Sequence, residues 1–507
     1  MLSIKNLTIY LVNDLRTVIE DFSFSLENGM KVCIIGEEGN GKSSILKAIV
    51  DDEGLKEYAE ISGEINKKNE VIGYLPQILE AKILDFSTKE YLENKIKEDD
   101  YFDYNLFYKL LKELNFDENL INEKQKISEL SGGERIKFIL LCELMKEPTC
   151  LLLDEPSNDL DINSIEWLKN FIKNIDIPII FISHDEDLIE NCANVIIHIE
   201  QLMRKQKPKI SIEKLDYENY VENRGNAIER QERIAKKQRE EFDRKVRKYQ
   251  KVYERVQHEI RSTKDDLIGR NLKDKMHTVK SIGRRLEKEK ENLLDFPDYE
   301  ESIFIKFDEA VNYSSKKEIL DLNLEKLVIG SKVLSENIEL KVFGTDKICI
   351  IGENGIGKTT LLKIILENIK KNVKIAYMPQ NYDDKMNVEM SIIDYLSKTY
   401  EKEETTKIRT FLGSMKFTAD EMFHNLKSLS GGQKAKIYFL KMILENPEVL
   451  ILDEPTRNLS PFSSVEIRKL LKSYKGTIIS VSHDKKYINE VCDKVYKLTK
   501  NGLELVI

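Results

Sequence analysis

The chain has 507 residues, of which 33% are charged, and its formal net charge is −9. This length is enough for several domains, each able to bury its own core. The sequence excludes a membrane-spanning helix, because no apolar run reaches the roughly 18–20 residues that one needs. The start MLSIKNLTIY lacks the basic segment and apolar stretch of a secretory signal. The six cysteines form no CxxC pair, so we expect a cytoplasmic protein in a reducing compartment.

The first predicted domain, residues 1–200, contains a phosphate-binding loop. The apolar run KVCIIG predicts a buried strand, and GEEGNGKSS follows it directly before the helical pattern SSILKAIV. Glycines let such a loop curl so that its N–H groups point at phosphate oxygens. We expect Lys42 to reach the phosphates and Ser43 to bind Mg²⁺. The predicted loop residues are Gly36, Glu37, Glu38, Gly39, Asn40, Gly41, Lys42, Ser43 and Ser44.

An acidic pair follows a second apolar strand in the same domain. The sequence LLLDEP places Asp154 and Glu155 at the end of that strand, and His184 stands 30 residues after Asp154. Asp154 is predicted to hold Mg²⁺ and Glu155 to orient or deprotonate the attacking water. A lone histidine is more often structural, but beside this pair His184 is predicted to sense the terminal phosphate.

Residues 201–301 form a long, charged and helix-patterned segment. Between Arg224 and Lys290 there are 22 Lys and Arg against 12 Asp and Glu, a surplus of ten positive charges. A basic segment inside an acidic protein indicates a contact surface for a polyanion. The alternative is a solvated helix that only spaces two domains.

Two apolar stripes predict that this segment is an antiparallel helical hairpin. The tip is predicted near residues 261–274, with the turn around Gly269 and with Leu267 and Ile268 as its large apolar side chains. Those two residues could equally fasten the turn itself. The stripes are Phe242, Val246, Tyr249, Tyr253, Val256 and Ile260, then Leu272, Met276, Val279, Ile282 and Leu286.

The motifs of the first domain recur in residues 302–507. Ser131 of LSGGE precedes Asp154 by 23 residues, and Ser430 of LSGGQ precedes Asp453 by 23 residues. Each of these aspartates also precedes its histidine by 30 residues. Such a repeat predicts a tandem duplication. Each copy also has a glutamine after its loop, Gln77 in YLPQ and Gln380 in YMPQ. The predicted site residues of the second copy are Gly352, Glu353, Asn354, Gly355, Ile356, Gly357, Lys358, Thr359, Thr360, Gln380, Asp453, Glu454 and His483.

This motif set resembles the ATP-binding cassette ATPases. The resemblance implies an α/β fold of two tandem P-loop ATP-binding cassette domains joined by a long α-helical hairpin linker. It implies ATP and Mg²⁺ as cofactors, with Ser43, Gln77, Asp154, Thr359, Gln380 and Asp453 near the metal. Each signature would face the loop of the other domain. The signature residues are Ser131, Gly132, Gly133, Glu134, Ser430, Gly431, Gly432 and Gln433, and Tyr10 is the expected adenine-stacking aromatic, with Gly330 at its place in the second copy.

The whole chain is similar to the ABC-F subfamily, whose linker acts on the ribosome. Asp159 stands where histidine is common, and Ser460 stands where the first copy has Asp161. The segment from Arg457 to Pro461 is similar to that of antibiotic-resistance members. Only 54 residues separate Gln77 from Ser131, so the extra helical arm of some members is expected to be absent or vestigial.

The resemblance implies a monomeric, ribosome-binding ATPase that contacts large-subunit RNA near the exit site and the peptidyl-transferase centre. It would protect that centre from lincosamides, pleuromutilins or streptogramin A-type drugs, with hydrolysis driving release. The first alternative is a housekeeping translation factor of the same fold. The second alternative is an ATPase subunit of a membrane transporter, against which the basic arm argues.

Overall fold

The computed structural model describes most of the chain. The described residues are 2–12, 15–96, 102–158, 160–202, 207–262, 266–294, 296–297, 307, 316–330, 332–371, 373–384, 386–415, 417–419 and 421–506. They form two compact units, Met1–Tyr217 with Glu300–Ile507, and Glu218–Tyr299.

The first domain is an α/β domain with nine described strands and eight described helices. Its strands are β1 Ser3–Leu11, β2 Arg16–Ser25, β3 Lys31–Gly36, β4 Ala59–Asn66, β5 Ile72–Leu75, β6 Cys150–Asp154, β7 Ile179–Ile182, β8 Val195–Gln201 and β9 Lys207–Glu213. Its helices are α1 Lys42–Ile49, α2 Glu53–Lys56, α3 Ala81–Asp85, α4 Thr88–Lys95, α5 Tyr104–Leu114, α6 Gly132–Leu144, α7 Ile162–Asn174 and α8 Glu186–Cys192.

A mainly parallel sheet forms the centre of this domain. Its order is β5-β6-β7-β3-β8-β9, in which only the β8–β9 pair is antiparallel. Strands β3, β6 and β7 are buried throughout, as expected for apolar runs covered on both faces. The carboxyl ends of these neighbouring strands meet at one edge, where the phosphate-binding loop and the acidic pair lie. A separate antiparallel sheet has the order β2-β1-β4.

The first domain extends beyond its predicted boundary at residue 200. Strand β9 pairs with β8, from Ile196 opposite Glu213 to Gln201 opposite Pro208. The pattern of alternating charged and apolar residues in KPKISIE suits an edge strand of this sheet rather than the beginning of a helical segment.

The second unit is a helical hairpin made of α9 (Tyr217–Ser262), whose first residue still belongs to the domain unit, and α10 (Asp266–Glu291). Gln238 accepts a hydrogen bond from the N–H of Leu294, and Lys245 forms an ion pair with Glu289. Because the residue number falls in one helix as it rises in the other, the helices are antiparallel. At 1.5 Å per residue, α9 is about 69 Å long.

Two details of the hairpin differ from the sequence prediction. Gly269 lies inside α10 and not in the turn, because α9 ends at Ser262 and α10 begins at Asp266. Ile282 is exposed, and the neighbouring Gly283 packs against Tyr249, where an added Cβ would come within 2.6 Å of the Tyr249 hydroxyl. Val256, Leu272, Val279 and Leu286 are buried as predicted. The side chain of Leu267 lies outside the described residues.

The second domain repeats the fold of the first. Its strands are β10 Glu318–Ile329, β11 Lys332–Phe343, β12 Lys347–Ile351, β13 Ile375–Met378, β14 Val449–Asp453, β15 Thr477–Val481, β16 Lys494–Thr499 and β17 Gly502–Leu505. Its helices are α11 Lys358–Asn368, α12 Ile392–Leu396, α13 Lys402–Ser414, α14 Gly431–Glu445, α15 Pro461–Ser473 and α16 Lys485–Val491. The main sheet has the order β13-β14-β15-β12-β16-β17, which matches the first domain strand for strand.

The segment between Gln77 and Ser131 contains only short helices among its described residues. Helices α3, α4 and α5 have five, eight and eleven residues, too short for an additional arm. In the described part of the chain, no helix combines the length and apolarity required to cross a bilayer.

Candidate nucleotide-binding sites

The two phosphate-binding loops adopt the same conformation. Gly41 and Gly357 precede α1 and α11 with φ of 88° and 102°, a left-handed geometry that favours glycine. A Cβ on Gly357 would lie 2.8 Å from Leu334. The amino group of Lys42 donates to the carbonyl of Gly36 at 2.8 Å, and Lys358 repeats the bond to Gly352 at 2.8 Å. Each loop therefore places a lysine and a helix N-terminus around one concave backbone turn, which suits phosphate.

The acidic pair of the first domain meets this loop at the sheet edge. The Ser43 hydroxyl donates to Asp154 Oδ1 at 2.9 Å. Glu155 follows β6 with a φ of 50°, which turns its carboxylate back towards β7. There its Oε1 lies 3.0 Å from Nε2 of His184. The predicted hydrolytic residues are therefore brought together, although they come from three separate segments.

The second domain repeats the arrangement with a looser histidine contact. Thr359 hydrogen-bonds Asp453, and Glu454 has a φ of 54°. Nε2 of His483 lies 3.6 Å from Glu454 Oε1, and its backbone N–H donates to Oε2 at 3.2 Å. A positive φ is unusual for glutamate and costs free energy. Its recurrence in both domains shows that the fold holds this residue in one orientation.

The electrostatic states of the two glutamates differ. Burial raises the pKa of Glu155, but attraction to His184 outweighs it and leaves that pKa below its usual value. Burial and the charge of Asp453 raise the pKa of Glu454 to about 8. Burial and the charge of Lys358 lower the pKa of His483 to about 4. Only the first domain thus pairs its glutamate with a histidine that stabilises the negative charge.

Several buried polar atoms at the two sheet edges lack a protein partner within the described residues. They are Glu155 Oε2, His184 Nδ1, Asp453 Oδ2 and His483 Nδ1. Buried polar atoms are normally hydrogen-bonded, so such groups beside a phosphate-binding loop are suited to a ligand. A carboxylate oxygen and a hydroxyl are ligands that Mg²⁺ accepts. The donor set fits a magnesium–phosphate group.

The signature motifs begin α6 and α14. Ser131 caps α6 by accepting from the N–H of Glu134 at 3.3 Å, while Glu134 accepts from the N–H of Ser131 at 2.8 Å. Ser430 and Gln433 form the same capping box in α14. The side chains of Glu134 and Gln433 cap the start of their own helix, and nucleotide binding by these two residues stays a prediction. The S-x-x-[EQ] spacing already carried the capping signal.

The first loop makes direct contacts with the second domain. Glu37 accepts from Lys436 at 3.0 Å, from the Ser460 hydroxyl at 2.6 Å and from the Ser463 hydroxyl. The N–H of Gly432 donates to the carboxylate of Glu38. Burial raises the pKa of Glu37, but Lys436 and the two hydroxyls lower it overall.

The second loop instead opens into a cavity of about 620 Å³. Both domains line this cavity, so the predicted pairing of the first signature with the second loop is present. Ile329 lies at its wall, one residue before Gly330. Ile356 packs against the domain core and does not line the cavity. The predicted residues that line it are Gly132, His184, Asn354, Gly355, Gly357, Lys358, Thr359, Thr360, Gln380, Asp453, Glu454 and His483.

Two residues of the first domain that are predicted to bind metal or nucleotide lie outside its phosphate-binding loop. Gln77 is exposed two residues after β5. Tyr10 is half-buried in β1, opposite Thr17 of β2. Its second-domain counterpart Gly330 has a φ of 60° in the turn after β10, so a side chain there would be strained.

Charged contacts join the two domains away from the loops. Arg468 of α15 forms two hydrogen bonds with Glu186 of α8, at 2.6 and 3.2 Å, and only 3% of Arg468 is exposed. Lys486 lies 3.2 Å from the same carboxylate. Phe462 packs against His198 and Tyr217, with ring centroids 5.2 and 6.4 Å apart. Charged and aromatic contacts outside the loops therefore also join the two domains.

Sequence reasoning missed several residues that shape these sites. Arg16 donates to the carbonyl of Gly39 at 2.9 Å. Lys436 and Ser463 contact Glu37 from the other domain. Arg457 lines the cavity. No local motif marks Arg16, Lys436 or Ser463, because each reaches its site through the packing of one domain on the other or of β2 on the loop. Arg457 does stand in a recognised segment, shortly after the second acidic pair, but the sequence motifs do not assign that segment to the site.

Comparison with known proteins identifies both domains. The family model described as ABC transporter matches residues 19–158 and 335–457. The ATP-binding protein Uup of Buchnera aphidicola subsp. Acyrthosiphon pisum is 32% identical, over 96% of this chain and 78% of that protein. The ABC transporter F family member 5 of Arabidopsis thaliana is 27% identical, over 96% of this chain and 74% of that protein.

Solved structures show the same fold at low sequence identity. An archaeal ribosome recycling factor, solved in complex with a ribosomal stalk protein, matches with a TM-score of 0.61. It is 18% identical, and the match covers 98% of this chain and 89% of that one. The RNase-L inhibitor matches with a TM-score of 0.57 and 19% identity, over 95% of this chain and 87% of that one.

Proposed function

The chain belongs to the ABC transporter family of ATPase domains, in its F branch, and from this premise we propose that it is a cytoplasmic ATPase whose helical hairpin acts on the ribosome. It hydrolyses ATP. The observation that carries the proposal is the hairpin, in which residues 224–290 hold a surplus of ten positive charges. A rod of this charge fits the phosphates of structured RNA, which proteins grip through shape and backbone.

We assign the hydrolytic roles from the geometry of the sheet edges. Glu155 and Glu454 orient or deprotonate the attacking water, and His184 and His483 hold them in place. Mg²⁺ would be held by Ser43 and Asp154 in one site, and by Thr359 and Asp453 in the other, with Gln77 and Gln380 near it. The metal supplies charge stabilisation for the transferred phosphoryl group. The protein contributes the fixed turn after β6 and β14, which aims each glutamate at the loop.

The exposure of the basic residues supports a polyanion partner. Arg244, Lys245, Arg247 and Lys248 are consecutive basic positions on α9, and all four are exposed. An ion pair joins Lys245 to Glu289 of α10. The exposed side chains of these four residues are therefore accessible to a partner.

A ribosome pelleting assay over a series of salt concentrations tests this step. Wild-type binding should weaken steeply with salt, because each phosphate contact releases about 0.7–0.9 of a counterion. Changing Arg244, Lys245, Arg247 and Lys248 to glutamate should reduce the slope of log K against log salt by roughly 3. The control changes Lys109, Lys112, Lys402 and Lys407, which are exposed on domain helices. Equal slopes for the two variants would show that the hairpin is a spacer.

The finer part of the proposal is protection of the peptidyl-transferase centre from lincosamides, pleuromutilins or streptogramin A-type drugs. It rests on the resemblance of the segment from Arg457 to Pro461 to resistance members and on the short segment before Ser131. The hairpin tip is where a drug effect would arise. At this tip the apolar side chain of Ile268 is 51% exposed.

A drug-sensitivity panel in cells expressing the protein tests this role. Replacing Ser262 to Asn271 with a Gly/Ser loop should preserve ATPase activity and ribosome pelleting but abolish resistance. Changing Ile268 alone to alanine should have a smaller, drug-dependent effect. Full resistance with the replaced loop would show that the tip is only a turn. No resistance with the wild type would leave a translation factor of the same fold as the function.

A further inference from the structure

The two phosphate-binding loops differ in charge at one position. The first loop has Glu38 where the second has Asn354. The carboxylate of Glu38 accepts a hydrogen bond from the N–H of Gly432, in the first turn of α14. The N-terminus of a 15-residue helix carries partial positive charge and favours an anion. Asn354 is neutral, and its Oδ1 accepts from Lys358 of its own loop at 3.4 Å.

A second carboxylate holds this contact in place. Glu37 is buried and has three partners in the second domain, Lys436, Ser460 and Ser463. These bonds fasten the loop to the second turn of α14 and to the start of α15. Because the contacts of Glu37 already order the loop backbone, the neighbouring Glu38 can contact Gly432 with little further loss of conformational entropy.

We propose that Glu38 gates the first nucleotide site by occupying, with its own carboxylate, the signature N–H that the terminal phosphate of ATP uses. The inference rests on the proposed function and on what the resemblance to ATP-binding cassette ATPases implies, namely that each signature faces the loop of the other domain with the terminal phosphate of ATP between them. One N–H cannot serve a carboxylate and a phosphate together, so ATP must displace Glu38 and then lie beside its charge. ADP lacks the terminal phosphate and does not compete. Glu38 therefore reduces the preference of the first site for ATP over ADP, which makes it a specificity-determining residue.

The geometry of Gly432 agrees with this competition. An added Cβ there would lie 3.3 Å from Glu38 Oε2 and 2.8 Å from the carbonyl oxygen of Asn458. The three atoms nearest to a Cβ on the equivalent Gly133 of the first signature belong to Ser164 and Leu160, of its own domain. Within the described residues, a contact between a loop carboxylate and a signature N–H is thus observed at the first site.

Nucleotide titrations on the full chain test the gate. Lys358→Ala weakens the second site, so that the first site is observed with Mg²⁺ and either a non-hydrolysable ATP analogue or ADP. Adding Glu38→Asn should lower Kd for the ATP analogue at least about tenfold, the value of one charge-assisted hydrogen bond. The Kd for ADP should change less than about twofold. Asparagine occupies this position in the second loop, so the fold accepts it.

Two further variants sharpen the result. Glu38→Gln keeps the length of the side chain and removes its charge, and it should behave as Glu38→Asn does. Asn354→Glu, made with Lys42→Ala, should weaken ATP binding at the second site. Equal changes for ATP and ADP, or no change, would overturn the gate while leaving the hairpin proposal untouched. Failure of the wild type to bind ATP would overturn the nucleotide placement itself.

Discussion

The two nucleotide sites are built from the same motifs but are closed in different ways. At the first site, loop carboxylates contact the second domain directly, through Glu37 to Ser460 and Glu38 to Gly432. At the second site, loop and signature line a cavity of about 620 Å³. Each site keeps its lysine, aspartate, glutamate and histidine. The asymmetry therefore arises both in the residues that face the partner domain and in the contact between each glutamate and its histidine, which is 3.0 Å in the first site and 3.6 Å in the second.

The two sites also differ in the residue that caps the helix facing each loop, Asp161 in the first domain and Ser460 in the second. Asp161 caps α7 and accepts from the N–H of Asn354, whereas Ser460 caps α15 and donates to Glu37. An aspartate at position 460 would face the Glu37 carboxylate. The serine at this position, which the sequence marks only as a departure from the first copy, is the residue whose hydroxyl donates to Glu37.

The largest effect is expected from removing both glutamates. Glu155→Gln together with Glu454→Gln should leave nucleotide binding intact and reduce turnover by about 10²–10⁴-fold, the contribution of general base catalysis. Under the proposed function, in which hydrolysis drives release, the double variant should remain bound to ribosomes. Phosphate release and ribosome pelleting measure the two results. The single variants should differ from each other, and normal turnover by the double variant would reject the assignment.

Exchanging the two capping residues tests the asymmetry itself. Serine and aspartate are both good N-caps, so the helices should start normally in Ser460→Asp and Asp161→Ser. Ser460→Asp places a carboxylate against buried Glu37 and should cost several kcal/mol in stability. Asp161→Ser loses one acceptor and should cost about 1–3 kcal/mol. Thermal unfolding compares the two, and equal costs would contradict the described contacts of Glu37.

The smallest effect concerns the predicted adenine contact. Tyr10→Ala should weaken ATP binding at the first site by about 1–3 kcal/mol, the range for stacking of an aromatic side chain on a base. Ile329→Ala, at the wall of the second site, should have less effect because an aliphatic side chain does not stack. Titration with ATP and GTP measures both. A larger loss for Ile329→Ala would remove Tyr10 from the site.

Much of this architecture could be predicted from the sequence. The repeat and its equal spacings indicated two α/β domains, and the strand–loop–helix order located both phosphate-binding loops. Each acidic pair directly follows an apolar strand. Because parallel strands end at the same edge of a sheet, this order placed the pair beside the phosphate-binding loop. The hairpin could be predicted from its two apolar stripes, and its first helix, α9, begins at Tyr217.

The remainder depends on packing that no local pattern records. Glu37 and Glu38 were recognised as loop residues, but their partners come from α14 and α15 about 400 positions away. Glycine often marks a turn, and the sequence therefore predicts one at Gly269. A helix tolerates a glycine at a cost of about 1 kcal/mol, and Gly269 lies within α10. Strand β9 was assigned to the linker because its charge resembles that of the hairpin.

Calorimetric titration with a non-hydrolysable ATP analogue and Mg²⁺ tests most directly whether the two sites differ. The account predicts two classes of site whose affinities differ at least about tenfold, with the weaker class at the first loop. Lys358→Ala should then remove the tighter class, and Lys42→Ala the weaker one. Two sites of equal affinity, or loss of the tighter class in Lys42→Ala, would contradict it.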